Sequence, residues 1–274
     1  YHMLEEMNEV NLLKTQSEFV SHMKIWADNN DYNKLPVGLV LGMEGADAIT
    51  SPDQLEEWYE QGLRIISLSH YGVSNYSHGT GTGTKGGLVG KGKELLIKMD
   101  SLNMILDLSH TSDESVRQEL DIFKGPIIAT HQNCRSVAPG ERQFPDHQLK
   151  SIIERRGVIG HSMDTFMMWE KEIDWSDIPL PRPFSKNEIT LEDFVDHIDH
   201  VCQLAGNSFH SAIGGDTDGQ GGMVGAPKEI DTVLDYQKLT ELLKNRGYTN
   251  SDIENIMYKN WQRFFENNLP VIEK

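Results

Sequence analysis

Apolar residues in this chain gather in short runs, at 37–43, 64–69, 104–109, 126–130, 157–161 and 211–215. Short runs of this kind, without strict alternation of apolar and polar positions, predict strands buried on both faces, as in a parallel sheet. Between them the apolar spacing changes to that of helices. Ser51-Pro52 opens one helix with proline at its first position, and Gly62 closes it. Leu88, Leu95, Leu96 and Met99 share a face over 86–101, as do Leu149, Ile152 and Ile153 over 145–156. Thr111-Ser112-Asp113-Glu114 reads as a capping box. Thr190-Leu191-Glu192-Asp193 opens a long helix that Gly206 ends, and Ser251-Asp252-Ile253-Glu254 opens the last one. Strands alternating with helices predict an α/β fold with crossover helices.

Four of the runs lead into a residue that can hold a metal: Glu44, His110, His131 and Asp216. Strands finishing on such residues predict the active end of an α/β barrel. A closed barrel needs eight strands, and the runs supply six. Either two strands are too short to show in the pattern, or the first one or two βα units are missing. No linker divides the chain, so residues 1–274 are expected to form a single barrel domain. The stretch 162–188 is long and irregular, which predicts a functional loop.

Charge narrows the partners. The formal net charge is −17. That excludes a nucleic-acid backbone as the natural partner and disfavours anionic membranes, while suiting a divalent cation. The two cysteines, Cys134 and Cys202, cannot build a cysteine zinc site. No apolar run approaches the length of a membrane span. The chain starts at Tyr1 with neither an initiator Met nor a signal-peptide pattern, so the sequence does not give the compartment; a bacterial protein of the cytoplasm or periplasm is the expectation.

Each candidate residue has a bland reading beside the chemical one. Glu44-Gly45 ends a buried strand, where a carboxylate is costly unless paired or metal-bound; its bland reading is an ion pair. His110 and His131 follow successive predicted strands, whose ends lie about 5 Å apart in a parallel sheet, so they could share a cation with a carboxylate opposite. Taken singly, either would be a capping or core histidine. Asp216, in Gly214-Gly215-Asp216-Thr217-Asp218-Gly219, is a candidate ligand or proton acceptor. Asp218 reads as a turn residue. His70 follows the strand 64–69 and could contact an oxyanion or a substrate carbonyl. Arg142 suits a substrate carboxylate or else a surface ion pair. Gly81-x-Gly83-x-x-Gly86 imitates a dinucleotide fingerprint but does not directly follow a strand, so it reads as a flexible loop. His197 and His200 lie in a helix and read as structural.

The blocks Gly42-Met43-Glu44-Gly45, Leu68-Ser69-His70-Tyr71-Gly72, Gly86-Gly87-Leu88, Gly92-Lys93-Glu94-Leu95, Asp107-Leu108-Ser109-His110, Thr130-His131-Gln132-Asn133-Cys134-Arg135, Arg142-Gln143-Phe144-Pro145-Asp146 and Gly215-Asp216-Thr217-Asp218-Gly219 occur in this order. In them the chain resembles the membrane (renal) dipeptidase family of zinc metallopeptidases, its bacterial members in particular, from about residue 1 to 266. The resemblance implies a (β/α)8 TIM-type barrel with two Zn2+ ions at its C-terminal end. It implies Glu44 as the bridging carboxylate, His110 and His131 as further ligands of one zinc, and Asp216 as a ligand of the other and a proton shuttle. His70 would contact the substrate and the tetrahedral intermediate, and Arg142 the substrate's terminal carboxylate. The implied reaction is hydrolysis of a dipeptide by a metal-activated hydroxide, in what the resemblance suggests is a homodimer.

One departure stands out. The family's first strand ends in a His-x-Asp pair that binds the second zinc, whereas the match here is His197-Ile198-Asp199, inside a helix. The expectation is therefore an N-terminally incomplete barrel that exposes sheet edges and tends to self-associate. Two alternatives accompany the enzyme: a catalytically disabled relative that binds a small peptide or amino acid, and a nicotinamide-dependent oxidoreductase resting on Gly81–Gly86. Side-chain preference of a substrate lies in loops, where Met167, Met168 and Trp169 could line a pocket or pack.

Overall fold

The computed structural model describes residue 7 and residues 9–169, 188–217 and 225–271. The chain divides into two compact units, residues 1–126 with 262–274, and residues 127–261.

The first unit holds two parallel sheets. Strand β1 (Val10–Leu12) pairs with β2 (Val37–Leu39), and β3 (Leu41–Glu44), β4 (Leu63–Ser67) and β5 (Ile105–Asp107) lie side by side in that order. The run 37–43 is thus two strands, parting at Val40 so that its halves pair with different neighbours. β1 has only three residues, too few to register as a run. Every residue of β4 and β5 is buried, including the polar Arg64, Ser67 and Asp107.

Helix α1 (Gln16–Ala27) starts at a capping box: Thr15 accepts from the Glu18 N–H, while the Glu18 carboxylate accepts from the Thr15 N–H at 2.9 Å. The Pro52 helix begins as a 3-10 turn, continues as α2 (Leu55–Glu60), and is followed by Gly62 at φ 109°. Helix α3 (Gly92–Ser101) is shorter than the expected 86–101. Helix α4 (Asp113–Ile122) is capped by Ser112, whose hydroxyl accepts from the Ser115 N–H, one residue beyond the expected Thr111.

In the second unit, β7 (Ile159–Ser162) and β8 (Ser211–Gly215) run parallel, and β6 (Ile127–Ile128) is followed by a bridge from Ala129 to Ile159. A Cβ on Gly160 would lie 2.2 Å from the Thr130 carbonyl oxygen and 2.9 Å from the Gly214 Cα. Only glycine lets these strands approach so closely. Helix α5 (Asp146–Glu154) starts after Pro145. Helix α6 (Leu191–Ala205) keeps its predicted capping box at Thr190 and ends at Gly206, φ 68°. Its buried Phe194, Val195 and Ile198 pack with Leu239 and Leu243 of α7 (Lys238–Asn245). Helix α8 (Asn250–Glu254) is capped by Thr249, two residues before the expected Ser251, and passes through a π-helical turn at 255–259 into α9 (Asn260–Asn268).

Met168 joins the core of this unit, and Met167 packs with Phe166, so both pack rather than line a pocket. Residues 170–187 of the irregular stretch, and Asp218, lie outside the described residues. No described helix is long and apolar enough to cross a membrane.

The first unit also encloses an acid. Glu119 of α4 is fully buried, with the Ser77 hydroxyl donating to its Oε1 at 3.2 Å. Burial raises its carboxyl from the ordinary 4.5 to about 8, against the Ser77 bond and with a small addition from Asp107. The unfolded chain ionises Glu119 from pH 4.5, whereas the fold holds the proton up to about pH 8. Its contribution to stability is therefore complete below pH 4.5 and lost as pH rises through 8. Glu119→Gln should remove an alkaline loss on the order of a few kcal/mol. Urea unfolding at pH 5 and pH 8.5 measures it; equal pH slopes for variant and wild type would refute this account.

Candidate metal centre

Three strand ends of the first unit bring Glu44, His70 and His110 together. Strand β3 ends on Glu44 itself. Gly45 follows with φ 82°, and a Cβ there would meet the His70 Cβ at 3.3 Å. The Gly45 N–H donates to the Ser67 hydroxyl at the end of β4, 3.0 Å away, so the turn after Glu44 is tied to the neighbouring strand. His70 lies three residues beyond β4, and His110 three beyond β5.

The distances are those of a shared site. His110 Nε2 lies 3.1 Å from Glu44 Oε1, and His70 Nε2 lies 3.6 Å from the same oxygen. The two imidazoles are 4.3 Å apart between ring centres. His110 is buried, whereas Glu44 and His70 are each about half exposed, at 48% and 47%. The Tyr71 ring meets both histidines edge-on, at 4.9 Å from His70 and 5.0 Å from His110.

The proton inventory shows what this arrangement is suited to hold. Thr80 Oγ1 lies 3.1 Å from His110 Nδ1 and donates to the His110 carbonyl at 3.4 Å. A hydroxyl has one proton. Either the ring donates from Nδ1–H to the Thr80 hydroxyl and its Nε2 lone pair faces the Glu44 carboxylate, or Nε2–H donates to Glu44 and Nδ1 accepts from Thr80. In both cases a proton or a cation lies between Nε2 and the carboxylate oxygen, and an imidazole nitrogen with a carboxylate oxygen is a donor set that zinc and similar ions take.

The second unit carries the other three candidates. His131 follows β6, and its Nδ1 lies 2.8 Å from Thr130 Oγ1. Arg142 is buried before α5; its Nη1 donates to Gln132 Oε1 at 2.5 Å and its Nη2 to the His131 carbonyl at 2.9 Å. Its guanidinium therefore braces the turn that carries His131. Asp216 directly follows β8, with the Ser162 hydroxyl donating to Oδ2 at 2.9 Å.

Backbone strain marks two of these positions. Among the described residues, four non-glycines have positive φ: Asn103, His110, Arg156 and Asp216. Asn103 and Arg156 follow the ends of α3 and α5, where such a residue is ordinary. His110 and Asp216, at φ 66° and 60°, stand instead after strands, and strain held there is a mark of function.

Sequence reasoning overlooked Thr80, Thr130 and Ser162, the hydroxyls that hold His110, His131 and Asp216. Thr130 could have been suspected from its place beside His131; Thr80 and Ser162 are remote in sequence and carried no signal. The Gly81–Gly86 segment follows no strand, since β4 ends at Ser67, and so lacks the setting of a dinucleotide loop. His197 and His200 are engaged inside their unit: His197 Nδ1 accepts from the Cys134 N–H at 3.1 Å, and His200 Nε2 lies 2.8 Å from Asp146 Oδ1. His161 of β7 lies 2.8 Å from the Ser211 hydroxyl, and burial lowers its pKa to about 3, so it is neutral.

The model of the membrane dipeptidase family, peptidase family M19, matches residues 2–270. The chain belongs to this family. Its relatives include an uncharacterized dipeptidase of Schizosaccharomyces pombe, 28% identical over 86% of this chain and 54% of that protein. Mouse dipeptidase 3 is 28% identical over 88% of the chain and 47% of its own length. The chain thus spans about half the length of the curated relatives it matches. A metallopeptidase of Rhodobacter sphaeroides, solved with a phosphinate mimic of the dipeptide L-Ala-D-Ala, superposes with a TM-score of 0.81 at 26% identity, covering 97% of this chain and 72% of that one. The α/β class with parallel strands, expected from the sequence, is the class of this family. Metal dependence belongs to it as a metallopeptidase family, and the Glu44–His110 donor pair fits such an ion.

The strained conformation at Asp216 can be tested directly. Asparagine tolerates positive φ and valine does not. Asp216→Asn should unfold near the wild-type midpoint, and Asp216→Val should lose about 1–3 kcal/mol. Equal urea midpoints for the two variants would show that the site carries no strain.

Proposed function

We propose that the protein to which this chain belongs is a metal-dependent dipeptidase. The observation that carries the reading is the 3.1 Å approach of His110 Nε2 to Glu44 Oε1 at the strand ends of a membrane dipeptidase family chain. Glu44, His110 and His131 are the group we assign to one metal, with zinc as the ion. Asp216 is assigned to a second. When bound, such ions act as Lewis acids and lower the pKa of water.

The chain's own residues supply the rest. His70 is half exposed beside Glu44, so its ring can donate to the carbonyl oxygen of a scissile peptide as charge gathers there. Asp216 has Oδ2 engaged by Ser162, which orients the carboxylate so that it can carry a proton to the leaving amine. Arg142 is assigned to the carboxylate of the substrate, where a planar guanidinium gives two parallel bonds. A dipeptide differs from a longer peptide in having its ammonium and carboxylate close to the same bond, and an arginine that takes that carboxylate selects for it. The protein is proposed to work without nucleic acid; a homodimer and a cytoplasmic or periplasmic site are the accompanying proposals.

Purified full-length protein should contain zinc and hydrolyse simple dipeptides, with activity lost to a chelator and restored by the metal. Glu44→Gln and His131→Ala should each lower kcat/KM by roughly 100-fold or more with the fold intact by circular dichroism. Arg142→Lys should raise KM more than it lowers kcat, since lysine cannot give the paired bonds. Binding of dipeptides without turnover by zinc-loaded protein would overturn the enzyme in favour of a binding protein.

A further inference from the structure

Thr80 lies in the Gly-rich stretch that imitates a nucleotide loop, and the proposed function leaves that stretch without a task. It is 6% exposed. Its hydroxyl meets the ring and the carbonyl of His110, at 3.1 and 3.4 Å. Its backbone N–H donates to the His70 carbonyl at 3.0 Å, and its own carbonyl accepts from the Gly72 N–H at 2.8 Å. The neighbouring Gly79 bridges Thr111, next to His110. One residue is therefore bonded to both histidines that face Glu44.

The glycines around it explain how the backbone comes so close. A Cβ on Gly79 would lie 2.1 Å from the His70 carbonyl oxygen and 2.9 Å from the Ser69 Cβ. Gly81 has φ 83° and Gly83 φ 76°, conformations that turn the chain away again directly after Thr80. The glycines thus deliver a threonine to the His70–His110 pair.

We infer that Thr80 is a positioning residue of the metal centre: its hydroxyl fixes His110 as the Nδ1–H tautomer with Nε2 toward Glu44, and its backbone holds His70 in the same frame. The inference rests on the metal reading above and goes beyond it by assigning a residue outside the ligand set. Metal-bound histidines depend on a partner at the other ring nitrogen, and loss of such a partner weakens metal binding roughly 10–100-fold. The partner here is a neutral hydroxyl, so the effect comes from orientation with no added negative charge.

Thr80→Val keeps the shape and removes the hydroxyl; Thr80→Ser keeps the hydroxyl and removes a methyl. Zinc affinity of the full-length protein, measured by competition with a chromophoric chelator, should fall roughly 10–100-fold in the valine variant and stay near wild type in the serine variant. The cobalt-loaded wild type should show a hyperfine-shifted His110 Nδ1–H that exchanges slowly with solvent, and this resonance needs no variant. Wild-type affinity in Thr80→Val, or rapid exchange of that proton in the wild type, would overturn the inference while leaving the metal site standing. Zinc binding that drops in Thr80→Val, in a protein that hydrolyses no dipeptide, would support Thr80 and refute the proposed activity. Absence of metal binding by the wild type would refute both.

Discussion

An imidazole nitrogen and a carboxylate oxygen held 3.1 Å apart, His110 Nε2 and Glu44 Oε1, are the constraint around which the first unit is arranged. Two such lone-pair atoms stay together only with a proton or a cation between them. The fold nevertheless imposes the approach from both sides. Glu44 stands at the end of β3 with its following turn tied to Ser67. His110 is buried, strained at φ 66°, and held at its far nitrogen by Thr80. A relaxed protein would let either side chain swing away; this one spends backbone strain and a buried hydroxyl to keep them facing. That is the arrangement expected of a site that holds a cation.

The second unit repeats the device with different parts. Asp216 is strained after β8 as His110 is after β5, and a hydroxyl, from Ser162, fixes its carboxylate as Thr80 fixes the imidazole. Thr130 does the same for His131. In each case a serine or threonine hydroxyl is among the orienting groups. A hydroxyl can donate or accept, so it sets geometry without adding to an already negative chain. The strand order makes this economical: β6, β7 and β8 approach within glycine distance at Gly160 and Gly214, which brings the ends of those strands, and hence Thr130, Ser162 and Asp216, into one small region of that unit.

Much of this was legible before any coordinates. The apolar runs located the strands at 64–69, 104–109, 126–130, 157–161 and 211–215, because strands buried on both faces are mostly apolar and do not alternate. The metal-type residues were visible because each sits directly after such a run. What escaped notice had physical reasons. Val10–Leu12 is too short to generate a period. The run 37–43 looks single because a change of pairing partner at Val40 leaves no mark in hydrophobicity. The caps at Ser112 and Thr249 differ from expectation because neighbouring serines, threonines and acids offer several equivalent caps, and tertiary packing chooses among them.

Thr80 was hidden for a different reason, and it shows where motif reading runs out. The pattern Gly81-x-Gly83-x-x-Gly86 is a record of backbone demands: positive φ and close approach. Those demands are the same whether the backbone must cradle a phosphate or deliver a side chain to a buried imidazole. Glycine spacing therefore reports that something lies close and cannot report what. The deciding information is which element precedes the glycines. A strand running straight into them aims amides at a ligand; here β4 ends at Ser67, and the chain first passes His70 and Tyr71. The loop then returns to the residues it has just left, so its close approach is to the protein itself. The same glycines that argue against a nucleotide thus argue for a supported pair of histidines.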